Sequence, residues 1–117
     1  MFTICKAFKF EAAHRLTGLA EGHPCGRLHG HSYTVEFLLQ SAELNGMGFV
    51  RDYRDLDQVK GFIDEHLDHR NLNEVVPFSP TAENLANWLF FQFRPQIPEL
   101  AAVRISETDG TWSEFRL

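Results

Sequence analysis

Three histidines stand where their spacing could do chemistry. His29 and His31 lie two residues apart in Cys25-Gly26-Arg27-Leu28-His29-Gly30-His31. They head a segment that alternates like a strand, so both imidazoles are predicted to point to one face. His14 closes another alternating run, in phase with Phe8, Phe10 and Ala12. If the two runs pair as a hairpin, the three imidazoles meet at one end of a shared face. Three neutral nitrogens suit Zn2+ and leave it an open fourth position and its full double charge, the pattern of catalytic rather than structural zinc. His23 is a rival ligand, but it precedes Pro24 in an irregular loop.

Three further groups could work beside such a metal. Cys25 leaves two options: as a fourth ligand it would close the coordination sphere, and as a free thiolate it could act as base or nucleophile. The second is favoured. In Asp68-His69 the acid can orient the imidazole and stabilise its cation, although adjacent side chains often diverge and a histidine at a helix end is also favoured by the helix dipole. Glu107 continues the apolar parity of Val103 and Ile105, which puts a carboxylate at the rim of the core. Cys5, within a strand, is expected to be a small buried hydrophobe.

These groups need elements to hold them. Residues 2–13 and 31–40 alternate with period two and read as strands, the second presenting Tyr33, Val35, Phe37 and Leu39 on one face. From residue 54 to 67, Leu56, Val59, Phe62, Ile63 and Leu67 form a helical stripe. Thr81 is placed to cap a second helix that runs to Phe93 and is stopped by Pro95 and Pro98. That helix is apolar around much of its circumference, which suits either a subunit interface or a sandwiched position within one subunit. Val103 and Ile105 open a strand, Asp109-Gly110 signals a hairpin, and a last strand runs through Trp112 to Leu117. The order β-β-α-α-β-β predicts an α+β fold, an antiparallel sheet with two helices on one face.

Bulk properties bound the rest. The chain of 117 residues reads as one domain, residues 1–117, without a linker or low-complexity stretch. A net charge of −5 argues against nucleic acid, whose binding draws on clustered Lys and Arg. A small anionic substrate remains compatible with a few converging cations. No run of about 18 apolar residues occurs, and the first residues lack the features of a signal peptide, so no membrane association and a cytoplasmic location are expected. Cys5 and Cys25 are then expected to remain thiols.

The stretches Phe10-Glu11-Ala12-Ala13-His14-Arg15-Leu16, Cys25 to His31, Leu67-Asp68-His69, Pro80-Thr81-Ala82-Glu83 and Ser106-Glu107-Thr108 are spread along nearly the whole chain. They resemble the family of 6-pyruvoyl-tetrahydropterin and 6-carboxy-tetrahydropterin synthases. The three residues between Cys25 and His29 look like the bacterial carboxy-tetrahydropterin branch, which serves queuosine and other deazapurine pathways.

The resemblance implies the tunnelling fold, with subunits joining their sheets into a barrel, commonly a hexamer built as a dimer of trimers. It implies a zinc-dependent lyase that turns 7,8-dihydroneopterin triphosphate into 6-carboxy-5,6,7,8-tetrahydropterin, acetaldehyde and triphosphate. By the same resemblance His14, His29 and His31 are the zinc ligands, Cys25 is the proton-abstracting thiol, Asp68 and His69 are its relay partners, and Glu107 anchors the pterin. Thr81 and Glu83 would help at the pterin, though a helix-start role explains them equally well. Arg27 or Arg15 would meet the triphosphate, with solvent-facing charge as the competing account. One alternative is the pyruvoyl branch, which eliminates triphosphate without releasing acetaldehyde. Another, of a different class, is a zinc-stabilised binding module with Cys25 as a ligand. The chain departs from the family pattern after Thr108, at Asp109-Gly110-Thr111-Trp112.

Overall fold

The computed structural model describes residues 1–117. Two strands of equal length, β1 (Phe2–His14) and β2 (His29–Ser41), pair antiparallel without a break from Phe2 opposite Ser41 to His14 opposite His29. Helix α1 (Asp57–His66), the short strand β3 (Arg70–Asn71), helix α2 (Ala82–Phe93) and strands β4 (Leu100–Ser106) and β5 (Ser113–Arg116) follow. The sheet order is β3-β1-β2-β4-β5.

The alternation read from the sequence sorts side chains as expected. Phe8, Phe10 and Ala12 of β1, Tyr33, Val35, Phe37 and Leu39 of β2, and Val103 and Ile105 of β4 share one core with Leu56, Val59, Ile63, Leu85, Leu89 and Phe90. Both helices therefore cover the same face. On the other face Thr3, Cys5, Ala7, Lys9 and Glu11 are exposed. Each fully buried Leu, Ile or Phe contributes about 1.5–3 kcal/mol by leaving water.

The structure corrects several expectations. The sheet is mixed rather than wholly antiparallel, because β3 pairs in parallel with Ala12 and Ala13 of β1. A strand of two residues has no period to read, and it interrupts the expected α-α succession. The first helix begins later than residue 54, since Tyr53–Leu56 form a 3-10 turn capped by the Asp52 carboxylate, which accepts from Arg54 N–H. The link between β4 and β5 spans residues 107–112, longer than a two-residue hairpin turn. Cys5 is exposed, and its thiol donates to Glu36 on the polar face.

Thr81 caps α2 as expected, its hydroxyl accepting from Asn84 N–H at 3.1 Å. The apolar girth of α2 is mostly spent within the subunit. Leu85, Ala86, Leu89, Phe90 and Phe93 are buried, Trp88 packs on Phe62 of α1, and only Phe91 remains largely exposed while touching Phe115 of β5. No helix is long and apolar enough to cross a membrane.

Candidate metal centre

The unbroken β1–β2 ladder places the histidines. His14 sits directly opposite His29, and His31 opposite Ala12, so all three rings emerge on the helix-covered face at the end of the ribbon. Their centroids are 4.6, 4.8 and 5.1 Å apart, each pair edge to face. Glu107, just past the end of β4, brings Oε2 to 2.9 Å from His31 Nε2 and 3.3 Å from His14 Nε2. One donor atom from each of these four residues lies within 4.8 Å of the others. Cys25 contributes no atom to this group.

The outer nitrogens are held by backbone. His14 Nδ1 lies 2.8 Å from the carbonyl of Pro80, and His29 Nδ1 lies 2.7 Å from the carbonyl of Arg27. Carbonyls only accept, so each Nδ1 carries the hydrogen and donates it, which leaves the lone pair on Nε2. Those two Nε2 atoms face each other at 3.1 Å. Two lone pairs at that distance repel unless a proton or a cation lies between them. His31 Nε2 is buried and lacks a partner with hydrogen-bond alignment, despite the nearby carboxylate. A divalent cation relieves both conflicts, and three imidazoles with one carboxylate are borderline ligands that suit zinc. The residues present fit the metal.

The four groups also shift one another's protonation. Burial disfavours the charged form of His14, but the Glu107 hydrogen bond and charge and the Pro80 carbonyl outweigh it and raise its pKa above the usual histidine value. For His31 burial prevails, supported by repulsion from His14 and His29 and opposed by Glu107, and its pKa is lowered. When His14 is protonated its Nε2–H donates to Glu107, and this bond, ahead of the surrounding imidazole charges, keeps Glu107 below the usual carboxylate range although burial pushes the other way. Glu107 is therefore an anion at neutral pH.

The other sequence candidates fall into two sets. Asp68 and His69 do not diverge: Asp68 Oδ2 is 2.9 Å from His69 Nδ1. His69 adopts φ 58°, a left-handed turn that folds its side chain back toward the acid. His69 and His31 line one open groove with Glu11, Ser32 and Arg70. Cys25 lies half-buried in a 3-10 turn, Pro24–Gly26, on the loop leading to His29, and its N–H donates to His23 Nδ1. His23 is thus engaged in its own loop. Thr81 spends its hydroxyl on the helix cap, while Glu83, Arg15 and Arg27 are exposed.

Two participants escape sequence reading. The Pro80 carbonyl is reached only through tertiary packing, and no local pattern marks it. Tyr33 was legible only as a member of the apolar face; it is 1% exposed, stacks on Phe10, and brings its hydroxyl to 3.2 Å from His14 Nδ1.

Comparison with known proteins fits this geometry. A family model described as 6-pyruvoyl tetrahydropterin synthase matches residues 3–117. The chain belongs to that family. It is 37% identical over 115 residues to the 6-carboxy-5,6,7,8-tetrahydropterin synthase of Synechocystis sp., covering 92% of this chain and 88% of the relative. It is 34% identical over 84 residues to the dihydroneopterin monophosphate aldolase of Pyrococcus furiosus, covering 71% of each. Among solved structures, the 6-pyruvoyl tetrahydropterin synthase of Caenorhabditis elegans superposes with a TM-score of 0.86 at 27% identity, over 99% of this chain and 95% of that one. The α+β sheet with two helices on one face is the tunnelling fold of this family.

Proposed function

We propose that this protein is a zinc-dependent carbon-carbon lyase that converts 7,8-dihydroneopterin triphosphate to 6-carboxy-5,6,7,8-tetrahydropterin, acetaldehyde and triphosphate, for queuosine or a related deazapurine pathway. The observation that carries the metal part is the pair of facing Nε2 atoms of His14 and His29, each imidazole locked by a carbonyl at its other nitrogen. The relative from Synechocystis sp., matched over 92% of this chain, supports the choice of product.

Bound by His14, His29 and His31, zinc would supply Lewis acidity to the hydroxyls of the substrate side chain. The chain's own residues divide the remaining work. Cys25, as thiolate, takes the carbon-bound proton beside a side-chain hydroxyl. Asp68 holds His69 by Nδ1 and stabilises the imidazolium when His69 accepts a proton. Glu107, ionised, presents two oxygens to the 2-amino group and the neighbouring ring N–H of the pterin. In the free protein the same carboxylate rests against His14 and His31, so substrate would compete for it. Arg27, with Thr81 and Glu83 in lesser roles, completes the substrate contacts.

Assembly of several copies, a hexamer by family resemblance, belongs to the same reading. It is supported by two open sheet edges, β1 from Phe2 to Phe10 and the outer side of β5. A cytoplasmic location is supported by two free thiols, which suit a reducing compartment.

Incubating zinc-loaded protein with dihydroneopterin triphosphate is expected to release acetaldehyde and the 6-carboxy product. A pyruvoyl product without acetaldehyde would move the assignment to the other synthase branch. No turnover of the pterin would overturn both.

A further inference from the structure

Asn73 has no part in the chemistry above, yet its side chain makes an unusual contact. Its Oδ1 accepts from Arg15 N–H at 2.7 Å, and its Nδ2 donates to the Arg15 carbonyl at 2.8 Å. One amide thus satisfies both polar groups of one backbone residue, as a neighbouring strand would. It does so where β1 has run out of strand partners, since β3 pairs only with Ala12 and Ala13. The same segment grips β1 upstream, with Asp68 Oδ1 accepting from Glu11 N–H at 2.9 Å and His69 N–H donating to the Glu11 carbonyl. Asn73 is itself fixed in a 3-10 turn, Leu72–Glu74, its N–H donating to Asn71 Oδ1 and its neighbour Leu72 fully buried.

The residues on either side of Arg15 explain why this matters. His14 precedes it. Leu16 follows, and Leu16 N–H donates to the Cys25 carbonyl at 2.9 Å. One side chain on the β3 side therefore sets the backbone between the last residue of β1 and the turn that carries the thiol.

We infer that Asn73 is a positioning residue of the site, acting through the Arg15 backbone on both His14 and the Cys25 loop. The roles of His14 and Cys25 rest on the proposed function, but the clamp does not. Only an amide fits: aspartate would set a second oxygen against the Arg15 carbonyl, and alanine would leave both groups to water.

The test uses the full chain with Asn73→Ala and the isosteric Asn73→Asp, beside Val59→Ala, a core truncation in α1 that measures what lost stability alone does to the site. Amide hydrogen exchange at Leu16 is expected to accelerate at least about tenfold in both Asn73 variants, and at Arg15 in Asn73→Ala, whose side chain offers no acceptor, with neither change in Val59→Ala. Zinc affinity by chelator competition is expected to fall about ten- to hundredfold, as when outer supports of metal ligands are removed, with a changed Co2+ absorption spectrum. Unchanged Leu16 protection, or a zinc loss no larger than that of Val59→Ala, would overturn the inference. Should the wild-type chain take up neither zinc nor cobalt, the metal reading fails, and Leu16 exchange alone decides: lost protection supports the clamp, retained protection refutes it. Should Asn73→Ala fail to fold, Asn73→Asp is read in the same way.

Discussion

His14 Nδ1 donates to the carbonyl of Pro80 at 2.8 Å, a bond between residues 66 apart in sequence. It ties the end of β1 to the residue just before the cap of α2, and both partners are buried. The imidazole is thereby oriented by a group that cannot rotate, in the tautomer that leaves the Nε2 lone pair free for the proposed metal. Replacing His14 with alanine removes a ligand and strands a buried carbonyl. Chelator competition is expected to show zinc affinity reduced more than about a hundredfold, beyond the ten- to hundredfold typical of outer partners. Denaturant unfolding of the metal-free protein should show a loss of about 1–3 kcal/mol from the unpaired carbonyl.

Zinc binding should stabilise the fold by mass action. At a free zinc concentration a hundred times the dissociation constant the gain is about 2.7 kcal/mol, enough to raise the melting temperature by several degrees. Differential scanning calorimetry with and without a chelator measures it; coincident melting curves would contradict a site in the native state.

Asp68→Asn separates chemistry from structure. The asparagine oxygen can still accept from Glu11 N–H, but an amide NH2, which only donates, then faces His69 Nδ1 in place of the carboxylate oxygen. Zinc content should be unchanged while turnover drops about a hundredfold or more, within the range of general acid-base contributions. The pH dependence follows from the native carboxylate. The Glu11 backbone N–H, then His69, hold Asp68 below its ordinary value of 3.8. Its stabilising effect is therefore complete above the unfolded pKa and disappears as pH falls through the lower folded one. An acid limb of the pH–rate profile near pH 6 would therefore belong to a group other than the Asp68 carboxylate.

The left-handed backbone at His69 makes a prediction by residue type. With φ at 58°, a β-branched side chain is disfavoured while glycine is at ease. His69→Val should lower stability by about 1–2 kcal/mol relative to His69→Gly, measured by urea unfolding. Equal stabilities would mean the segment relaxes out of that conformation.

Cys5 should be a poor nucleophile despite its exposure. Partial burial, then the hydrogen bond and charge of Glu36, push its thiol up to about 11. In a Cys25→Ser background, alkylation by iodoacetamide followed by mass spectrometry should accelerate about tenfold per pH unit from 8 toward 11. Glu36→Gln should shift that rise to lower pH.

The sequence reveals this centre to the extent that local periodicity does. Phe10, Ala12 and His14 share a parity, and so do His29, His31 and Tyr33; a hairpin of matched register is enough to bring the imidazoles together. The stripe of Leu56, Val59, Ile63 and Leu67 marks the helix that packs on the same face of the sheet, and all four are fully buried. What periodicity does not encode is contact between distant segments. Pro80 gives up a carbonyl that any residue could offer, β3 is too short to carry a pattern, and Asn73 looks like an ordinary turn residue until Arg15 lies beside it. The pairing of Asp68 with His69 had against it that adjacent side chains often diverge, and the left-handed turn at His69 removes that objection.

The thirteen-residue pairing of β1 with β2 has a kinetic consequence. His14 and His29 are separated by only 15 positions, whereas the Pro80 carbonyl must come from 66 away. Loop-closure entropy rises with the logarithm of length, and short-range contacts form first. Zippering of one hairpin is thus sufficient to gather the imidazoles, and the lock on His14 arrives only when α2 docks. A metal ion added during refolding would thus find the three proposed ligands together before α2 is in place.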